Sequence, residues 1–162
     1  MPGLRVFDAA ALERTRAAAS ASLRGRANLN VHATLDDPIQ RMLNVFQPGT
    51  YVRPHRHEAG RYELFLALSG RAAVLTFDDA GCVSETAVLA PDGGWAVEFP
   101  GAVWHTVVSL AADTALFEVK PGPYRPLEES DFAPWAPHDG TAGAAALLRR
   151  WEALAAPVTP RG

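Results

Sequence analysis

Between Gln40 and Lys120 the chain is cut at short, nearly even intervals by turn-forming residues. Pro48-Gly49, Ser69-Gly70, Asp78-Asp79-Ala80-Gly81, Pro91-Asp92-Gly93-Gly94, Pro100-Gly101 and Ala112-Asp113 punctuate it. The runs between them are short and apolar: Gln40–Phe46, Tyr62–Leu68, Arg71–Phe77, Cys82–Leu89, Ala96–Phe99, Trp104–Leu110 and Thr114–Lys120. Each is too short for an ordinary helix and long enough for a strand. Roughly eight or nine short strands at 8–12-residue spacing predict an all-β sandwich or barrel.

The ends read differently. Asp8–Leu23 is Ala-rich and free of Gly and Pro, so it predicts a helix with Asp8 as N-cap and Gly25 beyond its end. Thr141–Ala155 predicts a second helix, N-capped by Thr141, with Leu147, Leu148, Trp151 and Leu154 on one stripe. That stripe packs on the chain's own barrel or makes a homodimer contact. Between barrel and helix, PGPYRPLEESDFAPWAPHDG carries Tyr124, Phe132 and Trp135, aromatics that favour packing against the barrel. His138, within it, reads as a surface residue. The final VTPRG is expected to fray. The chain thus divides into an N-terminal helical segment (1–23), a β-barrel (24–122) and a C-terminal aromatic loop and helix (123–162).

One domain fits 162 residues. The single cysteine, Cys82, allows no intrachain bridge, and no run approaches a membrane span. With no signal-like start, the cytoplasm is the expected compartment. A net charge of −3 argues against nucleic acid as the main partner.

Gly49–Gly70, GTYVRPHRHEAGRYELFLALSG, concentrates the chemistry. In a strand, residues two apart share a face, so His55 and His57 reach one pocket together. Glu63 opens an apolar run, where a carboxylate is costly unless something pairs it, and a divalent cation would. His105 follows the Pro100-Gly101 turn on another strand. Three imidazoles and a carboxylate suit Fe, Mn, Ni, Cu or Zn and do not suit Ca or Mg.

These two stretches resemble the motifs of the cupin superfamily, G(X)5HXH(X)3,4E(X)6G and G(X)5PXG(X)2H(X)3N. Gly49, His55, His57, Glu63 and Gly70 match the first, with five residues rather than three or four before Glu63. Glu58 is therefore an alternative carboxylate. Gly94, Pro100 and His105 match the second. Gly101 stands one position early, and Ser109 stands where the family has Asn. More of the chain, including QRMLNVFQPGTYVRPHRH, FDDAGCV, PGAVWHTVVSL and EVKPGPYRPLEESDFAPWAP, resembles the WbuC-type cupin metalloproteins, which take their name from polysaccharide gene clusters. The resemblance implies a cupin jelly-roll β-barrel holding one divalent transition metal on His55, His57, Glu63 and His105.

A stripe supplies the remaining clue. Arg24, Arg26, Asn28, Asn30 and His32 alternate with Gly25, Ala27, Leu29 and Val31. On a strand they would form one polar, cationic face. It is either a solvated edge or an anion-binding stripe at the barrel mouth, suited to a sugar acid or a nucleotide sugar. Three functions are open: a metal-dependent enzyme acting on a small anionic sugar derivative, with Tyr51 or Tyr124 moving a proton; a cupin-type Fe(II) dioxygenase; or a non-catalytic metal-dependent binding protein.

Overall fold

The computed structural model describes residues 3–156; the VTPRG end, expected to fray, lies outside the described residues. Eight strands form two antiparallel sheets: β1 (Arg26–Asn30), β2 (Ile39–Phe46), β3 (Glu63–Ser69), β4 (Ala72–Phe77), β5 (Val83–Leu89), β6 (Ala96–Phe99), β7 (Trp104–Ser109) and β8 (Thr114–Pro121). One sheet runs β1-β2-β8-β3-β6 and the other β5-β4-β7. This is the two-sheet all-β architecture the turn spacing predicts, and the jelly roll the motif resemblance implies.

A helix lies toward each end. Helix α1 spans Ala9–Ala21, and the Asp8 carboxylate caps it by accepting from the Ala11 amide. Helix α2 spans Ala142–Ala155, capped by the Thr141 hydroxyl accepting from the Ala144 amide. No helix among the described residues is long and apolar enough to cross a membrane.

Strand alternation sorts the side chains into three apolar layers. Phe46, Phe65, Ala72, Val74, Phe99, Val107 and Leu116 fill the barrel between the sheets. Leu43, Val45 and Ala115 face the other way and pack under Ala19 of α1, with Ala27 and Leu29 beside them. Ala73, Leu75, Phe77, Trp104 and Val108 face out from the smaller sheet, under Leu148 and Trp151 of α2. Strand β4, covered on both faces, is buried at every residue. That is why AAVLTF shows no polar alternation.

The layering fixes which way the polar residues point. Ala27 and Leu29 face α1, so Arg26 and Asn28 face the barrel interior. Trp104 and Val108 face α2, so His105 and Val107 face inward. Phe65 and Leu116 are interior, and Glu63 and Glu118 share their faces two residues away.

Gly70 is demanded by its surroundings. Its φ is 70°, and an added Cβ would fall 2.7 Å from the Thr114 Cα. No L side chain fits that turn without displacing β8.

Candidate metal centre and anion pocket

The segment carrying His55 and His57 is not the strand its spacing suggested. Residues 51–58 are extended but unpaired except at His55, which forms a one-residue antiparallel bridge with His105. The two exchange backbone hydrogen bonds, His55 N–H to His105 at 3.1 Å and His105 N–H to His55 at 2.9 Å. Pro48 and Pro54 lack the N–H groups a continuous ladder would use, and only one residue pairs. The bridge still brings the rings together: centroids lie 4.4 Å apart for His55–His105, 5.3 Å for His55–His57 and 5.7 Å for His57–His105. Each imidazole offers a nitrogen within 4.8 Å of the other two.

Two of the rings are held by the backbone. His55 Nδ1 lies 3.0 Å from the Arg53 carbonyl, and His105 Nδ1 lies 2.9 Å from the Val103 carbonyl. A carbonyl only accepts, so Nδ1 carries the proton and Nε2 keeps its lone pair. Burial, with His105 next to it, holds the His55 imidazole well below its ordinary pKa and keeps it neutral.

Glu63 completes the group. Its Oε1 lies 2.8 Å from His57 Nε2 and 2.9 Å from Lys120 Nζ, and its Oε2 lies 2.9 Å from His105 Nε2. Burial would raise this carboxyl; the His105 and His57 imidazoles, whenever their Nε2 carries a proton, and the Lys120 ammonium overcome it and hold the group well below its usual value. Glu63 Oε2 and His105 Nε2 are both buried, and neither is satisfied by a hydrogen bond. With the His105 proton on Nδ1, two acceptors face each other, an arrangement that calls for a cation. A first-row transition metal or zinc fits this donor set of imidazoles and one carboxylate. The alternative carboxylate, Glu58, is more than half exposed and pairs with Arg61 and Arg125.

His55 and His105 of the triad, with Glu63, open into a cavity of about 280 Å³. Apolar walls come from Phe46, Phe65 and Val107, and Arg24, Arg26 and Asn28 of the stripe line the same space. Arg26 donates to the Tyr51 carbonyl at 2.7 Å. Burial, and then Arg24, lower its pKa. Among the described residues, no carboxylate pairs with either arginine.

The stripe does not continue inward. Asn30 accepts from the Asn28 amide at 2.8 Å and does not line the cavity. His32 lies past the end of β1, 5% exposed, with Nδ1 against the Arg41 backbone. The tyrosines also lie elsewhere. Tyr51 stacks on Trp151 with ring centroids 5.8 Å apart, and its hydroxyl donates to the Pro137 carbonyl at 3.0 Å. Tyr124 is half exposed, outside the cavity, and its amide donates to the Leu35 carbonyl. The placement of both tyrosines follows from the aromatic C-terminal segment, which draws Tyr51 to the outer layer.

Three cavity residues went unnoticed in the sequence: Asn44, Glu118 and Lys120. Lys120 Nζ lies 2.6 Å from Glu118 Oε1, and the Asn44 amide donates to Glu118 Oε2 at 2.6 Å. Burial, and Glu63 nearby, push the Glu118 carboxyl up to about 6 against the pull of Lys120. Lys120 is raised despite its burial, because Glu118 and Glu63 both favour the ammonium. The signal was present: Glu118 and Lys120 sit two apart in an otherwise apolar strand, as costly there as Glu63 is in its own.

The C-terminal segment straps the histidine loop from outside. Asp131 accepts from the Arg56 amide, and the Ala133 amide donates to Pro54. Arg53 pairs with Glu129 at 2.8 Å and stacks over Phe132 at 4.8 Å.

Several solved structures share this architecture. KdgF from Halomonas sp. is 23% identical over 62% of this chain and 80% of that one, with a TM-score of 0.49. The Cupin_2 domain of an XRE family transcriptional regulator from Enterobacter cloacae is 19% identical over 61% and 98%, with a TM-score of 0.49. A cupin superfamily protein from Desulfitobacterium hafniense is 20% identical over 59% and 76%, with a TM-score of 0.47. No curated protein matches the chain. A family model described as a domain of unknown function, DUF6016, matches residues 7–89, just over half of the sequence. By that match, the chain belongs to the DUF6016 family.

Proposed function

We propose that this protein is a mononuclear metal-dependent enzyme of the WbuC type, acting on a small anionic sugar derivative in polysaccharide metabolism. One observation carries the reading: Arg24 and Arg26, neither paired with a carboxylate among the described residues, share a cavity with His55 and His105, two of the three clustered imidazoles. Arg24 is exposed and Arg26 half-buried; a half-buried arginine without an anionic partner is uncommon, and two adjacent guanidiniums repel each other. A ligand carboxylate or phosphate supplies what both lack.

His55, His57, Glu63 and His105 would hold the metal, which would polarise a carbonyl or hydroxyl or lower the pKa of a bound water. Arg26, seated deeper than Arg24, orients the anionic end. The cavity of about 280 Å³ is open to solvent on one side. That accommodates an acid of monosaccharide size.

Elemental analysis of the purified protein comes first, then calorimetric titration of the zinc-loaded form with gluconate and glucose 6-phosphate. An anion contact with a guanidinium is worth about 1.5–3 kcal/mol. Arg26→Ala should therefore weaken binding roughly tenfold to a hundredfold and leave metal content unchanged. Equal anion affinity in the two proteins would remove Arg26 from the site.

A further inference from the structure

The Glu118–Lys120–Asn44 cluster supplies no metal ligand and no part of the anion pair, although Lys120 reaches Glu63 at 2.9 Å, and it sits in the same cavity. We infer that Glu118, oriented by Asn44 and Lys120, accepts a hydrogen bond from a substrate hydroxyl, so that the ligand is a hydroxy acid rather than a simple acid. This rests on reading the cavity as an anion site and adds what recognises the rest of the molecule.

Stability does not account for the cluster. The barrel around it is lined by Phe46, Phe65 and Leu116, all at most 7% exposed. Replacing a buried ion pair by apolar residues is often neutral or stabilising. An apolar pair at 118 and 120 would continue the pattern that Leu116 begins. Glu118 is itself 7% exposed, within a wall that could have been wholly apolar.

The geometry suits a hydroxyl acceptor. A carboxylate has about four lone-pair positions. The Asn44 amide occupies one on Oε2, and Lys120 faces Oε1. Capacity for further donors remains, and a hydroxyl is a neutral donor that can fill it. Arg26 lies on β1, whereas Glu118 lies on β8, with β2 and its Asn44 between them. A ligand with its anionic group at Arg26 and an oxygen at the imidazoles passes this wall. A carbon chain bearing hydroxyls satisfies Glu118, whereas a bare alkyl chain leaves a buried carboxylate facing apolar atoms. Sites that hydrogen-bond a substrate hydroxyl discriminate strongly against analogues lacking it, because their own polar groups are then left unpaired.

The test compares gluconate, hexanoate and glucose by titration calorimetry on the zinc-loaded full chain. Gluconate and hexanoate share a carboxylate and a carbon count and differ in hydroxyls; glucose has the hydroxyls without the charge. In the wild type, gluconate should bind at least about tenfold more tightly than hexanoate. Glu118→Gln should weaken gluconate by about tenfold or more and leave hexanoate within about twofold. An unchanged gluconate-to-hexanoate ratio in Glu118→Gln overturns the inference. If glucose alone binds the wild type, and Glu118→Gln weakens it, the anion reading fails and the hydroxyl contact stands. Failure of all three to bind the wild type overturns the contact as well. Should Glu118→Gln lose zinc or melt early, Asn44→Ala takes its place: it must narrow the same ratio, and an unchanged ratio is equally fatal.

Discussion

His105 Nε2 and Glu63 Oε2 face each other at 2.9 Å in the barrel interior, each only 2% exposed by side chain. His105 cannot turn away, because its Nδ1–H is held by the Val103 carbonyl. His105→Ala removes a ligand nitrogen but leaves the apolar layers intact. Metal affinity should fall by more than about 100-fold, beyond what the loss of a supporting partner costs. The variant should still fold, with an unaltered β-type circular-dichroism spectrum. Equilibrium dialysis showing wild-type stoichiometry and affinity would remove His105 from the site.

The carboxylate assignment has its own test. Glu63→Gln keeps the shape and removes the charge that His57, His105 and Lys120 surround. It should lower metal affinity sharply, whereas Glu58→Gln should lie within about twofold of wild type, since exposed ion pairs contribute little. The reverse ranking in metal titrations would transfer the role to Glu58.

Ala102 adopts φ 66°, in the left-handed region. It occupies the position where the cupin motif carries glycine, while Gly101, one residue early, serves a different need: a Cβ there would fall 2.1 Å from the Glu58 carbonyl oxygen. Ala102→Gly relieves about 1–2 kcal/mol of backbone cost and gives back about 0.4–1 kcal/mol in unfolded-chain entropy. The net gain, between about 0 and about 1.6 kcal/mol, should appear as a higher midpoint in urea. Gly101→Ala should lower it.

Tyr51 gives a pH dependence. Burial raises its phenol from 10.0 to about 12, against the partial pull of Arg53. The folded protein therefore holds this proton more tightly than the unfolded chain. Its contribution to stability is complete below pH 10 and is lost as pH rises from about 10 to about 12. Tyr51→Phe forfeits the bond to Pro137 but should flatten that alkaline decline. Urea midpoints across this range that fall equally in both proteins would refute the assignment.

Which of these features the sequence disclosed depends on how local their cause is. Caps such as Asp8 and Thr141 act over three residues, and both stand where the pattern puts them. The inward face of Arg26 and Asn28 was one of two readings open from alternation alone; the apolar partners of Ala27 and Leu29 on α1 decide it. His32 leaves the stripe because β1 stops at Asn30, where the chain turns toward β2. Tyr51 is, from the sequence, a candidate to move a proton in the pocket. Only the distant Trp151, packed on the outer layer, shows that its ring points the other way. Glu118 and Lys120 belong to a strand 55 or more residues beyond Glu63, and no motif spacing connects them.

The strap across the histidine loop has a consequence for how this chain can be cut. Pro54, His55 and Arg56 run between β7 on one side and Asp131–Ala133 on the other, and Tyr51 ahead of them is anchored to α2. The ligand loop thus behaves as a shared seam rather than as part of the barrel alone. A fragment ending near Lys120 would retain every metal-binding side chain. It would also expose Leu75, Phe77 and Trp104 to water and free one edge of the seam, so the two rings held by the His55–His105 bridge would wander relative to His57.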